Sequence, residues 1–261
     1  MTADEKQRAA GFLDLAGDFL MYGFRSTQKE YHFEDDAQSG VLCGVLCGAQ
    51  SPVGEKKAPS PAGEEDTIAR IAAEIRACNN CPLAATRTNA APGEGVTRPL
   101  VLVIGEGPGA EEDAQGRPFV GRAGQLLDKM LSSIDLSRNS NCFIANVVKC
   151  RPPGNRDPQP EETQACAHFL KRQILLLNPE FILVAGRVAA QTLLDTTEPV
   201  AKLRGKFTSL TVGEKKIPLL VTYHPAFLLR SEEFKRPAWE DLKLLRSRIE
   251  NSKKENSSGV N

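Results

Sequence analysis

With 261 residues and 33 basic side chains against 33 acidic ones, the chain suits one domain plus extensions and has no global field to draw in a polyanion; any nucleic-acid contact must come from local basic patches. No apolar run approaches the ~20 residues that a bilayer crossing needs, and Asp4 and Glu5 stand where a signal peptide would be basic. These features predict a soluble, cytoplasmic protein with no membrane partner.

In chain order, residues 1–25 read as an amphipathic helix carrying Phe12, Leu15, Ala16, Phe19 and Leu20 near helical spacing. Its roles are packing against the main domain or docking to a protein partner. Residues 26–65, rich in Gly, Ser, Pro and charge, read as a flexible linker that includes Cys43 and Cys47 in a small internal repeat. A helix at about 66–77 then leads into Cys78-Asn-Asn-Cys81-Pro. Four apolar runs follow, Leu100–Ile104, Phe143–Val148, Phe181–Ala185 and Ile217–Thr222, each resembling a strand buried on both faces. Helical stretches near 121–134, 161–177, 187–195 and 237–250 separate or follow them, and Pro160-Glu161-Glu162 makes a helix start. The alternation predicts a three-layer αβα domain over 66–250, with a central four-stranded, mostly parallel sheet and functional residues at the strand ends. Residues 251–261 read as a disordered polar tail.

The Cys-x-x-Cys pair with Cys150 and Cys166 has the ligand count of a four-thiolate site. The residues alone leave iron–sulfur, zinc and a scatter of buried thiols open. Cys142, at the head of a strand, reads as core. At the first strand end, Gly105-Glu-Gly-Pro-Gly-Ala110 formally satisfies a dinucleotide fingerprint. Pro108 interrupts the turn, however, Glu111-Glu112-Asp113 would repel a pyrophosphate, and no acid stands at the next strand end. These glycines are better suited to letting backbone amides approach a flat ligand, with Phe119 as an aromatic face.

Three strand ends therefore carry Gly105-Glu-Gly-Pro-Gly-Ala-Glu-Glu-Asp113 with Gly116-Arg-Pro-Phe-Val-Gly121, Asn146-Val-Val-Lys-Cys150-Arg-Pro-Pro-Gly-Asn155-Arg-Asp-Pro158, and Tyr223-His-Pro-Ala-Phe-Leu-Leu-Arg230. Together with the four cysteines, this set resembles the family-4 uracil-DNA glycosylases over residues 66–250. The resemblance implies the uracil-DNA glycosylase fold and a 4Fe-4S cluster on Cys78, Cys81, Cys150 and Cys166, at one side of it. It also implies a uracil pocket from Glu106, Gly107, Pro108, Phe119, Asn146 and His224. The expected partner is uracil-containing DNA, single- or double-stranded, handled by a monomer.

The residue types suit those roles. A base must leave the stack before its glycosidic bond can be reached; Phe119 can then stack on it, and the Asn146 amide can accept from uracil N3–H and donate to O4, a pattern that cytosine reverses. His224 is the natural donor to the charge developing on O2. For placing water, Glu106 is the first candidate, with Asn155 and Glu112 behind it. Phe227, Leu228 and Leu229 form an apolar tip for the hole left by a flipped base. Lys149, Arg151, Arg156, Lys202, Arg204, Lys206, Arg230, Lys235 and Arg236 are candidates for a phosphate track. A related iron–sulfur branch attaches to DNA through a histidine in a basic inserted loop. No histidine lies between Gly186 and Tyr223 here, which favours a hydrolytic, monofunctional enzyme that starts base excision repair. The alternative is a catalytically inactive iron–sulfur DNA-binding module of the same fold.

Overall fold

The computed structural model describes residues 66–258; the expected N-terminal helix, the linker and residues 259–261 lie outside the described residues. The four apolar runs form β2 (Val101–Gly105), β3 (Cys142–Asn146), β4 (Phe181–Ala185) and β6 (Lys215–Thr222), all parallel to one another. Every residue of β2, β3 and β4 is buried, as expected of strands covered on both faces. The sheet is larger than the four strands expected. Among the described residues it has six, in the order β1-β3-β2-β4-β6-β5, because antiparallel edges are added by β1 (Glu94–Gly95) and β5 (Phe207–Val212). A two-residue β1 is too short to give a pattern. Strand β5 joins β6 through the tight turn at Gly213, whose φ of 62° lies in the left-handed region.

Helices cover both faces: α1 (Ile68–Ala77), α2 (Ala110–Gln115), α3 (Arg122–Ser132), α4 (Pro160–Leu177), α5 (Arg187–Leu194), α6 (Val200–Leu203), α7 (Pro225–Leu228) and α8 (Lys235–Ser258). Local chemistry sets their starts. Thr67 Oγ1 accepts from the Arg70 amide to cap α1. Pro160 opens α4 behind a capping box in which Glu162 accepts from the Gln159 amide at 2.8 Å. Helix α1 lays Ile71 and Ile75 into the core and is clipped to α4 by Arg172, which bonds Asp66 and Glu74. Helix α8 runs to Ser258, past the expected end near 250 and into the stretch expected to be a disordered tail. It buries Trp239, Leu242, Leu245 and Ile249. Among the described residues no helix is long and apolar enough to cross a membrane.

Candidate active site

The carboxyl ends of β2, β3, β4 and β6 open into a cleft of about 720 Å³, where loops after a parallel sheet place ligand-binding residues. Pairing between β2 and β3 outlasts the strands. Gly105 faces Asn146, the Val147 amide donates to the Gly105 carbonyl at 2.9 Å, and the Val148 amide donates to Glu106 at 3.1 Å. The turn bearing Glu106 and the turn bearing Asn146 are thereby fixed to each other. Gly105 has to lack a side chain: a Cβ there would lie 2.5 Å from Phe119 Cζ and 2.6 Å from Asn146 Oδ1. Ring and amide close on the same bare Cα. Asn146 is 1% exposed and its Oδ1 has no hydrogen-bond partner. A buried acceptor left unpaired costs about 1–3 kcal/mol, so this oxygen is set up to receive a donor brought by a ligand.

His224 follows β6 and caps α7. Its Nδ1 accepts from the Ala226 amide at 3.1 Å. Burial, seconded by Arg230 and opposed by Glu112, lowers its pKa to about 4. The ring is therefore neutral at ordinary pH; with Nδ1 occupied as an acceptor, the proton sits on Nε2 and makes that atom a donor. Gly186, at φ 97°, gives the histidine room, since a Cβ there would stand 2.8 Å from His224 Cβ. The Phe119 and His224 ring centroids are 5.5 Å apart. Asn146, Phe119 and His224, predicted separately from three strand ends, are brought together.

Glu106, Gly107, Pro108 and Asn155 line the same cleft. Burial raises the Glu106 pKa and Asp157 adds to the rise, while Arg187 opposes it. Asp157 and Arg187, which form an ion pair at 2.5 Å beside Glu106, were not singled out from sequence. The only hint was Arg187's place opening the helix after a strand-end glycine. Asn155, at φ 55°, is exposed and accepts from Arg151 Nε at 2.7 Å. The acidic run after Pro108 is not the surface cluster that its charge suggests. Asp113 is buried and accepts from the Thr88 and Asn89 amides; Glu112 accepts from the amides of Gly109, Val120 and Gly121. Glu112 thus holds the Phe119 loop with both carboxylate oxygens while lining the cleft.

Several basic candidates are redirected. Lys149 is buried, donates to the Asn146 carbonyl at 2.8 Å and to Gln173 Oε1 at 2.7 Å, and cannot touch a phosphate; burial lowers its pKa to about 8. Arg204 is tied to buried Asp241 and lies over the Tyr223 ring. Arg156 forks onto Glu162 at 2.8 and 2.7 Å, although it still borders the cleft. Arg230 is exposed at the rim. At the apolar tip, Leu228 is 1% exposed and belongs to the core, so the exposed member is Leu229. Phe227 is half-buried against Tyr223 and Phe234.

The four cysteines gather behind the loop that follows Asn146. Cys78 ends α1, Cys81 opens a 3₁₀ turn, Cys150 follows β3, and Cys166 lies in α4. All are free thiols. Burial pushes Cys150 up against the pull of Arg87, and the neighbouring thiols Cys81 and Cys78 add to the rise. Burial likewise pushes Cys166 up to about 11, with Lys149 opposing and Cys150 and Cys81 adding to it. Arg87 donates to Cys150 Sγ at 3.0 Å. Thiols close enough to disfavour one another's ionisation, beside a cation aimed at one sulfur, fit a group that takes four thiolates. Among the described residues no group of three or more His, Cys, Asp or Glu side chains is arranged, as they stand, to hold a metal ion. Cys142 is buried in the core, as expected.

Residues 92–243 match the family model described as the uracil DNA glycosylase superfamily. The type-4 uracil-DNA glycosylase of Thermotoga maritima is 43% identical over 71% of this chain and 96% of its own length. That of Archaeoglobus fulgidus is 38% identical over 68% and 91%. A type-5 uracil-DNA glycosylase from Thermus thermophilus is 35% identical over 40% of this chain and 53% of its own.

Proposed function

Because the chain belongs to the type-4 branch of the uracil DNA glycosylase superfamily, we propose that its cleft excises uracil from DNA by hydrolysis. The enzyme is a DNA glycosylase acting in repair. One observation carries the site assignment: the buried, unpartnered Oδ1 of Asn146, beside the Phe119 ring and a neutral His224.

In this reading the flipped uracil stacks on Phe119, and Asn146 Oδ1 accepts its N3–H while the amide nitrogen donates to O4. Cytosine offers an acceptor at N3 and a donor at its exocyclic amine, leaving the same amide mismatched. As the C1′–N1 bond breaks, negative charge moves into the ring and His224 Nε2–H donates to O2. A donor aimed at charge that exists only in the transition state raises the rate. Glu106, beside the Asp157–Arg187 pair, orients water toward C1′ and receives its proton. Arg230 and Leu229 at the rim are suited to phosphate contact and to filling the vacated stack. Cys78, Cys81, Cys150 and Cys166 would hold a 4Fe-4S cluster, whose bonds, when present, would tie α1, the post-β3 loop and α4 together.

The test is single-turnover excision, at saturating enzyme, from oligonucleotides carrying uracil opposite guanine, opposite adenine or in a single strand. His224→Ala should lower the rate constant by ~10²–10³, the effect of removing one such donor, with DNA affinity nearly unchanged. Asn146→Ala should lose uracil recognition. Near wild-type chemistry in folded His224→Ala on all three substrates would overturn the mechanism.

A further inference from the structure

The Phe119 platform has an unusual backbone. Its φ is 52°, in the left-handed region that non-glycine residues rarely adopt, and such a conformation persists only where surrounding contacts over-determine it. Two contacts do so. Gly124 in the first turn of α3 presses bare Cα against it; a Cβ there would sit 2.0 Å from the Phe119 carbonyl oxygen. The other is Arg138, a residue outside every motif, in the segment between α3 and β3.

Arg138 is 8% exposed. Nη1 donates to the Pro118 carbonyl at 3.0 Å and Nη2 to the Phe119 carbonyl at 2.8 Å. The remaining donors go to carboxylates: Nη1 to Glu94 at 3.2 Å, and Nε and Nη2 to Asp128 at 3.0 and 2.9 Å. All five guanidinium N–H groups are thus used, two on the backbone of the platform and three on the acids that hold the fork still. Glu94 also takes Arg117 in a bidentate pair at 3.1 and 2.7 Å, securing the other side of the loop.

We propose that Arg138 is a positioning residue for excision, acting through Phe119: its fork holds the strained 118–119 backbone so that the ring stays beside Asn146 Oδ1 and His224. This rests on the reading of Phe119 as the base platform. A lysine would keep the charge but not the fork, since its three donors radiate from one atom and cannot serve two carbonyls and two carboxylates in one plane.

The experiment is a double-mutant cycle on the single-turnover rate constant with Phe119→Ala, Arg138→Lys and the double variant, each loaded with metal and checked by thermal melting. Inhibition by free uracil is measured alongside. Phe119→Ala should slow excision by about 5–100-fold, the range of base–aromatic stacking, and Arg138→Lys by roughly tenfold with weaker inhibition by uracil. The double variant should be no slower than Phe119→Ala alone. Asp128→Asn, which loosens the fork without removing it, should show a smaller loss with the same non-additivity and serves if Arg138→Lys does not fold. Losses that multiply in the double variant, or unchanged excision by both Arg138→Lys and Asp128→Asn, would overturn the inference and leave the platform reading intact. An unaffected Phe119→Ala would overturn the platform reading itself.

Discussion

His224 makes acid stability a direct probe of the cleft. An unfolded histidine titrates near 6.5, whereas this one titrates at about 4 because burial and Arg230 disfavour the imidazolium. Between those values the unfolded chain binds more protons than the folded one, so stability rises with pH across the window. The contribution is complete above 6.5 and is lost as pH falls toward 4. From the two values, going from pH 7 to pH 5 removes about 2 kcal/mol, or roughly 4–8 °C of melting temperature for a domain of this size. His224→Gln has no such titration, and comparison with it cancels what other groups contribute, including Asp241, whose pKa burial raises to about 6. In thermal melts of both proteins at pH 5, 6 and 7, the wild-type melting temperature should therefore fall relative to that of His224→Gln as the pH falls. In parallel, no ionisation near 6.5 traceable to His224 should appear in the excision rate, because the donor Nε2–H belongs to the neutral ring. Identical pH slopes in the two melting series would refute the depressed pKa and the neutral-donor argument built on it.

Protein purified without oxygen should be brown and carry about four irons per chain, and Cys150→Ser should lose colour and melt earlier; a colourless active preparation with one zinc would contradict the cluster. Leu229→Ala should impair duplex substrates more than single strands, since only a duplex has a hole to fill, and equal losses on both would remove the wedge role. Deleting residues 1–60 should leave excision intact, because the cleft is lined by residues 106 to 234; a folded, iron-loaded truncation without activity would show otherwise.

The residues proposed for the cleft could be placed together from the sequence because they stand at the ends of continuous apolar runs, where a parallel sheet must bring them to one edge. Asn146 ends β3 and His224 follows β6. Side chains whose destination depends on tertiary partners were not legible. Lys149 looked like a surface cation beside Arg151, yet Asn146 and Gln173 draw its ammonium inside. Leu228 and Leu229 are chemically alike, and only the turn of α7 decides which is buried. Glu112 and Arg138 act on backbone amides and carbonyls, which carry no residue-specific signal at all.

The ladder joining β2 to β3 also dictates where this chain can change in length. Gly105 stands opposite Asn146, and Glu106 opposite Val148, only because Val101 stands opposite Cys142 and the pairing continues unbroken through Gly105. A single residue gained or lost in either strand would turn every later side chain to the opposite face and carry the amide away from the ring. Insertions are absorbed instead at turns that no cleft residue depends on, such as Gly213-Glu214 between β5 and β6. Natural and engineered variants should therefore differ in size at the far end of that hairpin while keeping the count from Val101 to Glu106, and from Cys142 to Val148, fixed.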